Sequence, residues 1–193
     1  MTEENKTVKK EKSNGIYDFV SIVATSVIAV AVSFIFLFRT VGVVGSSMYP
    51  TLHNGDRIIL SAFIDEPEYG DIVVTCQPNS VEDVLVKRII ATEGQTVDFD
   101  FENGIVYVDG VALDEPYIKT ATNLDEGMEF PLYVEEGYIF VMGDNRNRSR
   151  DSRNPRIGLI ERREIIGKVV FLVFPGSGEE GSEFDLNRIG VVS

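Results

Sequence analysis

The stretch V-L-V-K-R-I-I, Val84 to Ile90, decides how this chain folds. Side chains of a strand alternate between its faces. Val84, Val86, Arg88 and Ile90 then point one way, and Leu85, Lys87 and Ile89 the other. Both faces are aliphatic, so the strand is expected to be covered on both. Lys87 and Arg88 thus enter apolar surroundings from opposite sides. Arg88 stays charged in a protein, so it must pair with an acid or reach solvent. Two outcomes are open for Lys87. It can bury its stem and snorkel its ammonium to water. Alternatively, burial disfavours the ammonium, lowers the pKa and leaves a neutral amine able to act as a general base.

Similar short runs lie on either side. Arg57 to Leu60, Ile72 to Thr75, Thr96 to Phe101, Ile105 to Val108, Tyr138 to Met142 and Val169 to Phe174 are rich in Val, Ile and Phe, the composition of strands. Asn54-Gly55, Asn103-Gly104 and Asp109-Gly110 separate them, and Asn103-Gly104 predicts a hairpin. One short helix is expected near Ile160 to Ile166. The fold class is therefore mainly β, built of small sheets or an open barrel. Residues 110–136 are less regular and strongly acidic, so about 98–136 reads as a small cap or insertion. Gly176 to Glu183 reads as a flexible loop.

Before this β region comes Phe19 to Phe38, FVSIVATSVIAVAVSFIFLF, 20 residues without a charge. That is long enough to cross a hydrocarbon core of about 30 Å as a helix. Lys9, Lys10 and Lys12 precede it and Arg39 alone follows. The positive-inside rule then puts the N-terminus in the cytoplasm. The expected organisation is a cytoplasmic tail over 1–15, a transmembrane helix over 16–38 and an extracytoplasmic domain over 39–193. A cleaved signal peptide is the competing reading, and Ala29-Val30-Ala31 fits its cleavage pattern. However, the apolar run is longer than such segments need, and VSFIFLF follows that site.

The net charge of −13 falls entirely on residues 39–193, because four lysines balance four acids before Arg39. Such a domain is repelled by nucleic acid. One cysteine, Cys76, excludes an internal disulfide and any multi-cysteine metal site. It is expected to be a small core residue.

Just after the apolar run stands VVGSSMYPTL, Val43 to Leu52, with adjacent serines at 46 and 47. A serine hydroxyl is a weak nucleophile until a base takes its proton. The single histidine, His53, precedes the turn Asn54-Gly55 and fits a solvated turn residue better than a base. That leaves Lys87. Gly143 to Arg153, GDNRNRSRDSR, follows an apolar strand and is almost wholly polar. It is either a solvated loop or a hydrogen-bonded wall beside a site, in which Ser149 Oγ could orient a neutral lysine.

These residues together resemble the bacterial type I signal peptidases, in the short Gram-positive form with one N-terminal anchor. Gly45 to Leu52 resembles the family's nucleophile segment, Gly70 to Val74 its structural strand, Lys87 to Ile90 its lysine segment, and Gly143 to Arg153 its last segment. The resemblance implies a serine endopeptidase with Ser47 as nucleophile and Lys87 as base. It implies that the Ser47 backbone N–H serves the oxyanion and Ser149 orients Lys87. Asp144, Asp151 and Arg153 then support the site, and Val43, Met48, Leu85 and Val86 line shallow pockets for small residues at −3 and −1. Secretory preproteins emerging from the translocation machinery are the implied partners, together with the lipid bilayer and no nucleic acid. No metal or cofactor is implied.

Two positions depart from the family pattern. Ala91-Thr92-Glu93-Gly94-Gln95 replaces a Gly-Leu-Pro-Gly-Asp turn, and Gly45 stands where some members have an oxyanion-assisting serine. Two rival functions remain open. One is a self-cleaving repressor-type protease using the same dyad. The other is a membrane-anchored, non-enzymatic or pilus-assembly accessory protein on the same fold.

Overall fold

The computed structural model describes residues 15–62, 66–76, 84–177 and 185–192. The tail lysines and most of the Gly176 to Glu183 loop lie outside them. The chain divides into two units, Met1–Phe36 and Leu37–Ser193.

Helix α1, Gly15–Leu37, has 23 residues. At 1.5 Å per residue it is about 34 Å long. Its stretch Gly15–Ser33 is long and apolar enough to cross a membrane, and none of it is buried by protein. Three of its hydroxyls bond back to the helix backbone. Ser26 Oγ donates to Ile22 O at 2.8 Å, Ser33 Oγ donates to Ala29 O at 2.8 Å, and Thr25 Oγ1 donates to Ser21 O. Such back-bonding satisfies a helix hydroxyl without water.

The second unit is mainly β. Its strands are β1 Phe38–Gly42, β2 Arg57–Ser61, β3 Ile72–Cys76, β4 Val84–Thr92, β5 Thr96–Asp100, β6 Ile105–Val108, β7 Val111–Ala112, β8 Leu132–Tyr133, β9 Tyr138–Met142, β10 Ile160–Glu161, β11 Ile165–Phe174 and β12 Gly190–Val191. The larger sheet runs β1-β2-β11-β3-β4-β9-β10, with β12 added to β11. The smaller runs β7-β6-β5-β8. The sequence VLVKRII thus lies in the middle of the larger sheet. Leu85 and Lys87 to Ala91 are buried there, and only Val84 is exposed.

Three apolar clusters hold the unit together. Val43, Met48, Leu52, Ile72 and Val74 belong to the first, against which Val86 packs. Val73, Leu85, Ile89 and Val141 belong to the third. These two take alternate residues of β3 and β4, as the two-residue period requires. The second joins Ile90, Phe140 and Met142 to Val97, Val106 and Val108 of the smaller sheet. The acidic 98–136 region therefore shares a core with the main sheet. The Asn103-Gly104 hairpin forms as expected between β5 and β6.

Two expectations are corrected. Ile160 to Ile166 is not a helix: it is β10, a single 3₁₀ turn at Arg162–Glu164, and the start of β11. So short a segment gains little as an isolated helix, whereas Ile165 and Gly167 can pair with Thr75 and Val74 of β3. Cys76 is half-buried rather than core. It ends β3 opposite exposed Val84, where cover runs out.

Candidate active site

Ser47 sits in a run of turns between β1 and β2. The turn closes through Tyr49 N–H to Ser46 O at 3.1 Å and Leu52 N–H to Met48 O at 2.9 Å. Met48 and Leu52 anchor it from below, at 1% and 0% exposure. Ser47, between them and solvent, is half-buried. Lys87 is buried, so of the two outcomes open to it the snorkelling one is not adopted. Its Nζ donates to Ser47 Oγ at 2.9 Å and to Val86 O at 3.2 Å. Residues forty positions apart thus meet at hydrogen-bond distance.

The polar segment after β9 is the wall rather than the solvated loop. Asp144, Arg146, Asp151, Ser152 and Arg153 are all fully buried. Asn145 grips the serine turn twice: its N–H donates to Ser47 O at 2.9 Å, and its Nδ2 to Ser46 O at 3.0 Å. Asp144 accepts from Arg88 Nε at 2.9 Å and from Arg88 Nη2 at 2.8 Å, a two-pronged grip. Thr51 Oγ1 also donates to Asp144, and Arg88 Nη1 donates to Gly70 O at 2.8 Å. Buried charge is tolerable only with such pairing. Arg88 thus found the acid that its strand position demanded.

Asp151 is held in the same way. It accepts from Arg153 Nε at 2.8 Å, from Arg153 Nη2 at 2.9 Å and from Gly143 N–H at 3.0 Å. Ser149 is 3% exposed and its Oγ has no hydrogen-bond partner among the described residues. It faces Gly143 so closely that a Cβ there would lie 2.3 Å from Ser149 Oγ and 2.5 Å from Ser47 O. Only glycine lets the Ser47 backbone and the Ser149 hydroxyl approach the same point.

The predicted pocket residues divide. Val43, Met48 and Val86 share the first cluster, and Leu85 lies in the third. His53 packs its ring 5.0 Å from that of Tyr49, and its backbone N–H donates to Asp56 Oδ2 at 2.7 Å. Burial, then the Arg188 charge, lowers its pKa. It makes no described bond to Ser47. Arg188 pairs with buried Asp56 at 2.6 Å and ties the chain's end to the serine turn through Thr51 O. A cavity of about 770 Å³ is lined by Arg88, Tyr69, Tyr117, Lys168 and Val192, not by Ser47 or Lys87.

Several residues were not legible from the sequence. Asn145, Thr51, Glu115 and Tyr117 contact the buried arginines or the serine turn from loops without periodicity. Glu115 and Tyr117 lie in the acidic region, whose charges look alike in sequence. Nothing there distinguishes a buried partner from a solvated one.

A family model described as signal peptidase, peptidase S26, matches residues 16–174. The chain belongs to this family. Signal peptidase I of Bacillus amyloliquefaciens is 39% identical over 194 residues, covering 91% of this chain and 96% of that protein. Signal peptidase I T of Bacillus subtilis (strain 168) is 37% identical over 189 residues, with the same coverage. A crystal structure of a signal peptidase I from Enterococcus faecalis V583 is 30% identical, covers 55% of this chain and 98% of its own, and has a TM-score of 0.45. Membership in the S26 family makes this chain a peptidase of the signal peptidase class.

Proposed function

We propose that this chain is a membrane-anchored serine endopeptidase that removes signal peptides by a Ser47–Lys87 dyad. The observation that carries this is the 2.9 Å contact between Ser47 Oγ and a buried Lys87 Nζ. Proton transfer needs the neutral amine, and burial works against the ammonium. Lys87 takes the serine proton as Ser47 attacks the scissile carbonyl. The tetrahedral intermediate collapses to an acyl-enzyme as the amine leaves with a proton. Lys87 then activates the water that releases the acyl group. The Ser47 N–H donates to no group among the described residues, which leaves it for the oxyanion. Asp144, Asp151 and Arg153 maintain the wall, and Ser149, whose buried Oγ has no hydrogen-bond partner among the described residues, is assigned to orient Lys87.

Substrate geometry follows from the sheet. Pairing of β4 with β9 begins at Arg88–Met142, so Val84 to Val86 have no strand paired on that side among the described residues. An extended precursor can pair there. Val43, Met48 and Val86 on one face of β4, and Leu85 on the other, flank that edge and favour small residues at −3 and −1. The lysine-rich N-terminal flank puts the tail in the cytoplasm and the catalytic unit on the extracytoplasmic side of the cell membrane. Preproteins leaving the translocation machinery are the substrates, and a shared bilayer raises their effective concentration. A non-enzymatic accessory would have no need of a buried lysine against a serine.

The test is cleavage of a labelled precursor by the full chain in detergent, beside Ser47→Ala and Lys87→Ala. Both variants should lose all but background turnover. Full cleavage by either refutes the dyad.

A further inference from the structure

The same ion pair reaches both dyad residues, Lys87 through the chain and Ser47 through Asn145. Lys87 precedes Arg88, and Asp144 precedes Asn145, which grips Ser46 and Ser47. The Arg88–Asp144 pair therefore staples the base strand to the nucleophile turn. What holds Arg88 from its other side lies outside all four segments that resemble the family.

Tyr117 covers Arg88, with the guanidinium carbon 4.0 Å from its ring centroid. The same ring lies 5.8 Å from the guanidinium carbon of Arg146. Arg146 is fully buried and donates to Gly143 O at 3.2 Å, to Thr122 Oγ1 at 2.8 Å and to Glu115 Oε2 at 2.7 Å. Glu115 also accepts from Tyr117 OH at 2.9 Å. One short segment thus contacts both buried arginines, Arg88 and Arg146. The sequence alone marks it only as part of an acidic stretch.

We propose that Glu115 and Tyr117 are positioning residues for the Ser47–Lys87 pair. Tyr117 holds the Arg88 guanidinium in place against Asp144, and Glu115 keeps Arg146 against Gly143 O. Together they set the depth at which Gly143 to Asn145 present the serine turn to Lys87. The proposal rests on the dyad assignment above. Near-attack geometry is demanding, and a displacement of about 1 Å can cost on the order of 10²-fold in rate. A cation held over an aromatic face and removed from water is a directional constraint, not mere filling.

Tyr117→Leu tests this in the full chain in detergent, with precursor cleavage and thermal unfolding followed together. The expected result is a fall in kcat of about tenfold with KM within about twofold, the pattern of an interaction lost in the transition state. Tyr117→Phe keeps the ring and should restore at least half of kcat. Glu115→Gln alters charge with little change in shape. It is judged by the same kcat and KM split, so a Tyr117→Leu chain too unstable to assay does not end the test. Wild-type kcat in a folded Tyr117→Leu or in Glu115→Gln overturns the proposal, as does a loss that Tyr117→Phe leaves in place. Ser47→Ala and Lys87→Ala run in parallel. If they still cleave, the dyad itself is wrong; if they are inactive while the Tyr117 and Glu115 variants are normal, only the positioning role fails.

Discussion

Arg88→Leu removes one half of a buried ion pair. Arg88 is 2% exposed and Asp144 fully buried. The substitution strips Asp144 of two charge-assisted bonds, at 2.9 and 2.8 Å, and leaves only Thr51 and any water that enters. It also takes a 2.8 Å donor from Gly70 O. Breaking such a pair from one side costs about 3–5 kcal/mol, because a charge stays buried without its partner. For a unit the size of Leu37–Ser193, each kcal/mol lowers Tm by about 2–4 °C. The expected drop is therefore about 6–20 °C. Replacing both partners removes the orphaned charge, so Arg88→Leu/Asp144→Leu should recover more than half of the loss. The assay is urea and thermal unfolding of the single, double and wild-type chains in detergent, followed by tyrosine fluorescence. The double variant should remain inactive, since the staple between Lys87 and Asn145 is gone. A single variant destabilised by less than about 1 kcal/mol, or a double variant no better than the single, would refute the reasoning.

Ser149→Ala separates function from stability. The Oγ it deletes is buried and without a hydrogen-bond partner among the described residues, so Tm should hold or rise, while kcat should fall with the hydroxyl assigned to orient Lys87; thermal unfolding and cleavage rates measure both. Glu126→Gln tests the pH dependence of the fold. Burial, then Asp151, raises the Glu126 pKa against the opposing charge of Arg153. A raised carboxylate pKa contributes stability below the unfolded value of about 4.3 and loses it as pH rises through the folded value. The glutamine variant should therefore gain in Tm relative to wild type at pH 7 but not at pH 4, and equal differences at the two pH values would contradict it.

Much of the site was legible because its chemistry leaves local traces. A lysine and an arginine side by side in an aliphatic strand demand partners, and a 20-residue uncharged run has few fates. The period of two assigned the faces of β4 without any coordinates. The short segment after Leu159 was misjudged because its choice between helix and strand depends on whether β3 offers a free edge. That is a property of the sheet, not of Ile160 to Ile166. Cys76 was misjudged for a related reason, since the cover over a strand end depends on what crosses it.

What the sequence by itself determined was composition of the parts: an apolar span, a β domain carrying the whole negative charge, a serine with no histidine to serve it, and a lysine in apolar company. Tertiary structure alone decided that Lys87 Nζ comes within 2.9 Å of Ser47 Oγ. It also decided which carboxylates are buried. Asp144, Asp151 and Glu115 each face a buried arginine, while neighbours of the same type face water. The physical reason is that burial and pairing of charge depend on contacts between distant segments. Local pattern records the need for a partner, and only the folded chain supplies it.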